Sequence, residues 1–121
     1  MSVALGSALN ELKESAGLEL ASVVSHDGLM IESAHNDEID AEAVATVAAS
    51  GLLMMDSLGR ELQQGPARDV ILEYENNLVI LSPLNEDLLL VTVGSGNSNL
   101  GRVRLLIRRS LDKLNHAIQQ T

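Results

Sequence analysis

The sequence predicts an α/β domain, an α+β sandwich whose elements follow the order αββαβββα. Three observations predict it. Apolar residues recur at helical spacing in three segments, one near each end of the chain and one in the middle. Five short aliphatic runs, separated by Asn-, Asp- or Gly-containing turns, lie between those segments. A chain of 121 residues supplies one core, so residues 1–121 are expected to form a single domain.

A first helix is predicted over residues 2–16, followed by a β-hairpin. Apolar residues recur in the helix every three or four positions, at Leu5, Leu9, Leu12 and Ala16. Gly17 follows directly, where helices commonly end. Strands are predicted at 18–25 and 29–34 because both segments are rich in aliphatic residues, and Gly28 between them can adopt the positive φ of a tight turn.

The middle helix is predicted over residues 37–65 and ends before Pro66. Its first turn is acidic, which suits the positive end of a helix dipole: Asp37, Glu38, Asp40 and Glu42. A wide apolar stripe is expected to pack on the sheet; it consists of Val44, Val47, Ala48, Gly51, Met54, Met55, Leu58 and Leu62. The opposite face is less polar than a solvated face usually is, because it carries Ala45, Ala49 and Leu53 beside Asp56 and Arg60. We interpret that opposite face as a candidate interface.

Three further strands are predicted at 67–75, 78–84 and 88–94, with short polar turns between them. The first strand alternates apolar with mostly charged residues, so one of its sides is polar and it is expected at an edge of the sheet. The other two are apolar on both faces, which is typical of central strands covered by helices.

The last helix is predicted to begin after the polar loop at 94–99. Its buried stripe is expected to contain Leu100, Val103, Ile107, Leu111, Leu114 and Ile118. Its polar side carries five cations: Arg102, Arg104, Arg108, Arg109 and Lys113. Because guanidinium groups suit carboxylates and phosphates, this side is a candidate partner-binding surface. A solvated face that offsets the acidic remainder of the chain is the alternative interpretation.

Composition argues against several classes of function. A net charge of −9 and a single aromatic residue, Tyr74, disfavour nucleic acid as a partner. The absence of cysteine removes disulfides and thiolate chemistry and agrees with a reducing compartment, so a cytoplasmic location is expected. No purely apolar run approaches the roughly 18 residues of a membrane span, so no membrane partner is expected.

No catalytic or metal-binding pattern is recognisable in the sequence. His26, His35 and His116 lack the i, i+4 spacing that lets two histidines bind one metal. No serine lies in a Gly-x-Ser-x-Gly turn, and the glycine-containing loop at 94–99 lacks the third glycine of a dinucleotide motif. We therefore predict no catalytic residue, no metal and no cofactor, and a protein that is not an enzyme.

Self-association is the functional property that the residues themselves favour. An edge strand beside a partly apolar helix face leaves unpaired strand groups next to aliphatic surface, which a second copy of the chain can cover. The candidate dimer contacts are Ala45, Ala49, Leu53, Asp56, Arg60, Val70, Leu72 and Tyr74. A second set is proposed for a different partner, with Arg60 as an arginine finger in one interpretation: Leu53, Arg60, Arg102, Arg104, Arg108 and Arg109.

Two segments resemble the roadblock (dynein light chain 7) domain family. The segment LELASVVSHDGLMIES at 18–33 is similar to the first hairpin of that family, with its Asp-Gly turn. The segment LLLVTV at 88–93, followed by SNLGRVR at 98–104, is similar to the last strand and the start of the final helix. The Ala-rich middle helix and the meander fit between them, so the resemblance covers essentially the whole chain.

The resemblance implies a five-stranded antiparallel sheet with the first and last helices on one face and the middle helix on the other. It also implies a dimer that pairs third strands and middle helices, here residues 67–75 and the outer face of 40–63. Bacterial MglB-like members act on a small Ras-like GTPase, so we expect a homodimeric adaptor that binds such a GTPase and modulates its GTPase cycle. The alternative is a passive dimeric scaffold for other signalling or motility proteins, or a small-ligand sensor, without a GTPase partner.

Overall fold

The computed structural model describes residues 3–120 and has the predicted order αββαβββα. Its elements are α1 (Val3–Ala16), β1 (Leu18–Ser25), β2 (Met30–His35), α2 (Ala41–Glu61), β3 (Val70–Glu73), β4 (Asn77–Pro83), β5 (Leu88–Ser95) and α3 (Leu100–Gln119). The predicted start of the first helix at residue 2 lies outside the described residues. The turn chemistry agrees with the prediction, because Gly17 and Gly28 have φ values of 65° and 92°.

The strands form one five-stranded antiparallel sheet in the order β2-β1-β5-β4-β3. Strands β4 and β5 have a neighbour on each side, which confirms that they are central. Within residues 3–120, β3 pairs with β4 alone, which confirms that it is an edge strand. Strand β2 forms the other edge.

Helices cover both faces of the sheet in the arrangement that the resemblance implies. Helices α1 and α3 pack on one face, where Leu9, Leu90 and Leu114 are fully buried. Helix α2 packs on the other face against β1, β4 and β5, where Leu20 and Val91 are fully buried. Because side chains alternate along a strand, the sheet supplies apolar residues to both layers. The fold is therefore an α+β sandwich with two separate apolar cores.

Several predicted bounds differ from the structure, most of all those of α2 and β3. Helix α2 ends at Glu61, whereas the prediction extended it to residue 65. Helix α2 begins at Ala41, and not at residue 37, because Asp40 is its N-cap: Asp40 Oδ1 accepts a hydrogen bond of 3.1 Å from the Ala43 backbone N–H. Strand β3 is shorter than the predicted 67–75. Before it, the backbone N–H of Ala67 donates to Asp56 Oδ1 at 3.0 Å, and after it the N–H of Tyr74 donates to the Asn77 carbonyl at 2.8 Å.

The predicted orientation of α2 was wrong in part: Ala48 of the predicted stripe is buried and Val44 packs against the core, but other residues are on the opposite side from the prediction. Ala45 and Ala49, which were assigned to the outer face, are buried against the sheet, whereas Val47 and Met54 of the supposed buried stripe are exposed. The reason is volume. The sheet side of this layer already contains large aliphatic side chains, so small alanines fill the remaining space and let the helix approach closely. Apart from the buried Leu52 and the half-buried Val44 and Met55, the larger apolar residues of α2 point away from the core of this chain.

Candidate functional site: the outer surface of α2 and the edge of β3

Four large apolar side chains form an exposed row along α2 and its C-cap residue. They are Val47, Met54, Leu58 and Leu62, which are 71%, 67%, 51% and 62% exposed. We call this row the α2 apolar stripe. Its members recur at intervals of seven and four residues, so they lie on one side of the helix. A row of this size on a packed domain marks an interaction surface, because monomeric proteins rarely leave contiguous apolar area in water.

The stripe borders a groove that extends to the edge of the sheet. The groove has a volume of about 440 Å³, and its floor is made by Val79 and Leu81 of β4. Its far wall is Leu72 and Tyr74, both of which are exposed. Toward the C-terminal end of α2, a second hollow of about 400 Å³ has Leu58 on its wall. The exposed apolar surface therefore continues from the helix to β3.

Strand β3 adds a hydrogen-bonding edge to this apolar surface. In the part of the chain that the structure describes, one side of β3 pairs with β4, from Val70 opposite Leu81 to Glu73 opposite Leu78. The other side presents backbone N–H and C=O groups to the surface. Unpaired strand groups of this kind pair readily with a strand of another chain. The surface thus offers apolar area and directional hydrogen bonds next to each other.

The structure separates the eight candidate dimer residues into three groups. Val70, Leu72 and Tyr74 are placed at the β3 edge as predicted; Leu72 and Tyr74 are exposed beside the groove, and the half-buried Val70 lines the second hollow. Ala45 and Ala49 are 1% and 3% exposed, so they cannot reach a partner without disrupting the core. The other three lie on α2 outside the stripe: Leu53, Asp56 and Arg60.

Those last three residues differ in how they are held. Asp56 is half-buried and accepts the Ala67 N–H, so it ties α2 to the segment that leads into β3. Leu53 is 52% exposed, and Arg60 is exposed and donates to Ser57 Oγ at 2.9 Å. Since Leu53 and Arg60 are seven residues apart, they lie together on the side of α2 away from the stripe. Both side chains are exposed to solvent in the single chain.

The arginines of α3 lie on the opposite layer from α2. Arg102, Arg108 and Arg109 are exposed, while Arg104 is half-buried and forms an ion pair with Asp69 at 3.5 Å. The sheet separates them from Leu53 and Arg60. The set predicted to bind a different partner is therefore not one surface but two, on opposite faces of the molecule.

The residues that sequence reasoning missed as interface candidates are the members of the stripe itself. Their periodicity was recognised, but it was assigned to the core because large apolar residues are usually buried. The signal that distinguishes the two faces is side-chain size. One face of α2 consists of alanines with a single leucine, Leu52, whereas the other consists of valine, methionine and leucine.

Helix α2 has one further property that bears on this surface. Among helices in residues 3–120, it alone is long and apolar enough to cross a bilayer, judged by length and composition only. Its alanine face, however, packs on the sheet, and its N-cap is the charged Asp40. These contacts hold α2 as one layer of the sandwich, so its apolar stripe fits a protein partner that covers one face.

Comparison with known proteins agrees with this architecture. The family model of the Roadblock/LC7 domain matches residues 5–94, from the first turn of α1 to the end of β5. This chain belongs to the Roadblock/LC7 domain family. The match includes both edges of the sheet and all of α2, so the surface described above is part of the roadblock domain.

Individual relatives and structures are more distant. The uncharacterized protein MJ0310 of Methanocaldococcus jannaschii is 28% identical over 106 residues, which is 88% of this chain and 92% of the relative. Myxococcus xanthus MglB matches with a TM-score of 0.90 and 20% identity over 98% of each chain. A structure of MglB with a tetrameric arrangement matches with a TM-score of 0.87 and 19% identity, over 96% of this chain and 88% of that one. At such identities, the structural likeness shows a shared fold.

Proposed function

We propose that this roadblock domain is a cytoplasmic homodimer that binds a small Ras-like GTPase and modulates its GTPase cycle, without being an enzyme itself. The observation that carries the proposal is the α2 apolar stripe beside the unpaired edge of β3. The proposed dimer pairs β3 with β3 of a second copy and packs the two α2 helices together. A two-fold axis relates the two copies, so each contributes the same surface and the assembly stops at two copies at this contact.

A comparison of the free energy gained by burial with the cost of association supports a second copy as the occupant of the stripe. Covering a large apolar side chain fully contributes about 1.5–3 kcal/mol. Each copy contributes four partly exposed ones, namely Val47, Met54, Leu58 and Leu62, as well as the groove beside Leu72 and Tyr74. Association costs roughly 4–15 kcal/mol because the two copies lose translational and rotational freedom. The hydrogen bonds of strand pairing at β3 are therefore needed in addition to apolar burial for a stable dimer. The structure of MglB with a tetrameric arrangement gives an example of the same fold in an assembly.

The GTPase part of the proposal rests on family resemblance and on what stays exposed after dimerisation. The chain resembles MglB-like members of its family and shares the fold of MglB. Leu53 and Arg60 lie away from the stripe, so the proposed dimer leaves them accessible. An exposed leucine and an arginine on the same side of a helix suit a protein contact, because Arg is enriched in interfaces and covering the leucine removes apolar area from water.

Titration with a small GTPase encoded in the same genome tests the proposal. The GTPase is loaded with GDP or with a non-hydrolysable GTP analogue, and binding is measured by calorimetry. We expect binding in at least one nucleotide state and a changed rate of GTP hydrolysis when the roadblock dimer is added. Binding with an unchanged hydrolysis rate would identify a passive scaffold. No binding in either state would overturn the GTPase proposal.

Charge reversal locates the contact on the dimer. We expect Arg60→Glu to weaken GTPase binding about tenfold, because it removes a charge-assisted hydrogen bond and adds repulsion. Arg109→Glu is the matched variant on the opposite layer, where the arginine is also exposed. If Arg109→Glu weakens binding and Arg60→Glu does not, the GTPase binds the α3 face instead.

A further inference from the structure

A small cavity with a mixed polar and apolar lining lies on the opposite side of the sheet from the α2 surface. It has a volume of about 170 Å³ and lies where α3 crosses the ends of β3 and β4. Its apolar walls are Ile80, Pro83, Ile107 and Leu111. The polar groups that line it are Arg68, Asp69, Ser82, Arg104 and Arg108. Three arginines, one aspartate and one serine therefore line a single cavity.

Ser82 is the most unusual of these residues because it is buried without a partner. It is 2% exposed, and its Oγ forms no hydrogen bond within residues 3–120. On β4 it follows Leu78 and Ile80 at two-residue intervals, and all three face the α1 and α3 layer. An apolar residue would fit that pattern, whereas an unpaired buried hydroxyl costs about 1–3 kcal/mol. A hydroxyl at this position makes sense if a ligand accepts its hydrogen bond.

Arg104 also keeps donor capacity for a ligand. Its Nη2 contacts Asp69 Oδ2 at 3.5 Å, the limit of a hydrogen bond. Its Nε is buried and has no hydrogen-bond partner among the described residues. A guanidinium group binds oxyanions best through two parallel N–H donors, and here one of the two is unused. The hydrogen-bonding capacity of Arg104 is thus only partly used within the described residues.

The charge of the cavity is opposite to that of the chain. The protein carries a net charge of −9, yet Arg68, Arg104 and Arg108 outnumber Asp69 here by three charges to one. Arg68 and Arg108 are exposed, so they lie at the solvent side of the cavity while Ser82 lies at its base. Like charges that converge without an anion repel each other. A bound dianion would neutralise the two uncompensated cations.

We propose that this cavity binds a phosphoryl group, either as inorganic phosphate or as a small phosphomonoester. Its volume is below the roughly 300 Å³ at which ligand pockets for larger organic molecules begin, so a nucleotide is too large. Ser82 Oγ and Arg104 Nε are two buried donors without partners in the described residues, and the other lining arginines add further donors, which suits the three or four acceptor oxygens of a phosphoryl group. The inference does not depend on the proposed GTPase partner, because the cavity lies on the other layer.

The experiment is a titration of the full chain with inorganic phosphate and, separately, with glycerol 3-phosphate and acetate at constant ionic strength. Nitrogen–proton spectra of the arginine Nε–H groups report binding residue by residue. We expect saturable shifts centred on Arg104 with phosphate, and much weaker ones with acetate. Tighter binding of glycerol 3-phosphate than of inorganic phosphate identifies a monoester as the ligand, and the reverse identifies the free ion.

Three variants test the assignment. We expect Arg104→Gln to weaken phosphate binding at least tenfold and Ser82→Ala to weaken it about threefold. Arg102→Gln removes the same charge from an exposed position of the same helix outside this cavity, and should change affinity by less than twofold. Ser82→Ala should melt no lower than the parent without phosphate, since it only removes an unpaired hydroxyl. Equal effects of Arg102→Gln and Arg104→Gln, or no saturable shift at all, would overturn the proposal.

Discussion

The two helical layers of the sandwich differ in what they bury. In the α1 and α3 layer the buried helix residues include large leucines such as Leu5, Leu9 and Leu114, and the outer sides of the helices are mostly polar. In the α2 layer the buried helix residues are alanines and Leu52, and the large apolar residues are outside. One layer is complete within a single chain. The α2 layer has large apolar residues on its outer side, as expected for a layer that a partner protein covers.

The largest effect is expected in the complete layer. Leu114→Ala should lower the free energy of unfolding by about 3 kcal/mol, because Leu114 is fully buried and its truncation leaves a cavity. Leu58→Ala, at a position of the stripe that is half exposed, should cost less than about 1 kcal/mol in dilute protein. Denaturant titrations of both variants at low concentration measure the difference. Equal losses would mean that the two layers do not differ as described.

A smaller effect is expected from enlarging a buried alanine. Ala49→Leu should lower the free energy of unfolding by about 1–3 kcal/mol, since the helix must move away from the sheet to admit a larger side chain. Thermal unfolding followed by circular dichroism is sufficient to detect it. If Ala49→Leu is as stable as the parent, α2 presents another face to the sheet, and the stripe is part of the core after all.

The Ala49→Leu prediction tests which face of α2 packs on the sheet, which is the feature that the sequence did not predict correctly. Periodicity and turn residues predicted all eight elements, since spacing and Gly or Asn turns are local properties. They did not predict which side of α2 is buried, because both sides are apolar. The outcome depends on the space left above β1, β4 and β5, which follows from tertiary packing. The cavity at Ser82 was equally unpredictable, because Arg68, Ser82 and Arg104 are distant in sequence and only the fold brings them together.

The smallest effects are expected at the helix caps. Asp40 caps α2 and Asn99 caps α3 in the same way, each accepting from the backbone N–H three residues later, at 3.1 and 3.0 Å. Asp40→Ala and Asn99→Ala should each cost about 1 kcal/mol of stability, measured by denaturant titration. Similar values would show that α2 is anchored to this chain as firmly as α3. A much larger loss for Asp40→Ala would show that α2 depends on its cap because its packing contributes little.

The most direct test of the central claim is sedimentation equilibrium of the parent chain and two matched variants. Leu58 lies in the α2 apolar stripe, and Leu105 is a comparably exposed leucine, at 47%, on α3 of the complete layer. We predict that the parent and Leu105→Glu sediment as dimers at micromolar concentration, whereas Leu58→Glu sediments as a folded monomer. A monomeric parent at every concentration, or a Leu58→Glu variant that dimerises as the parent does, would contradict the account.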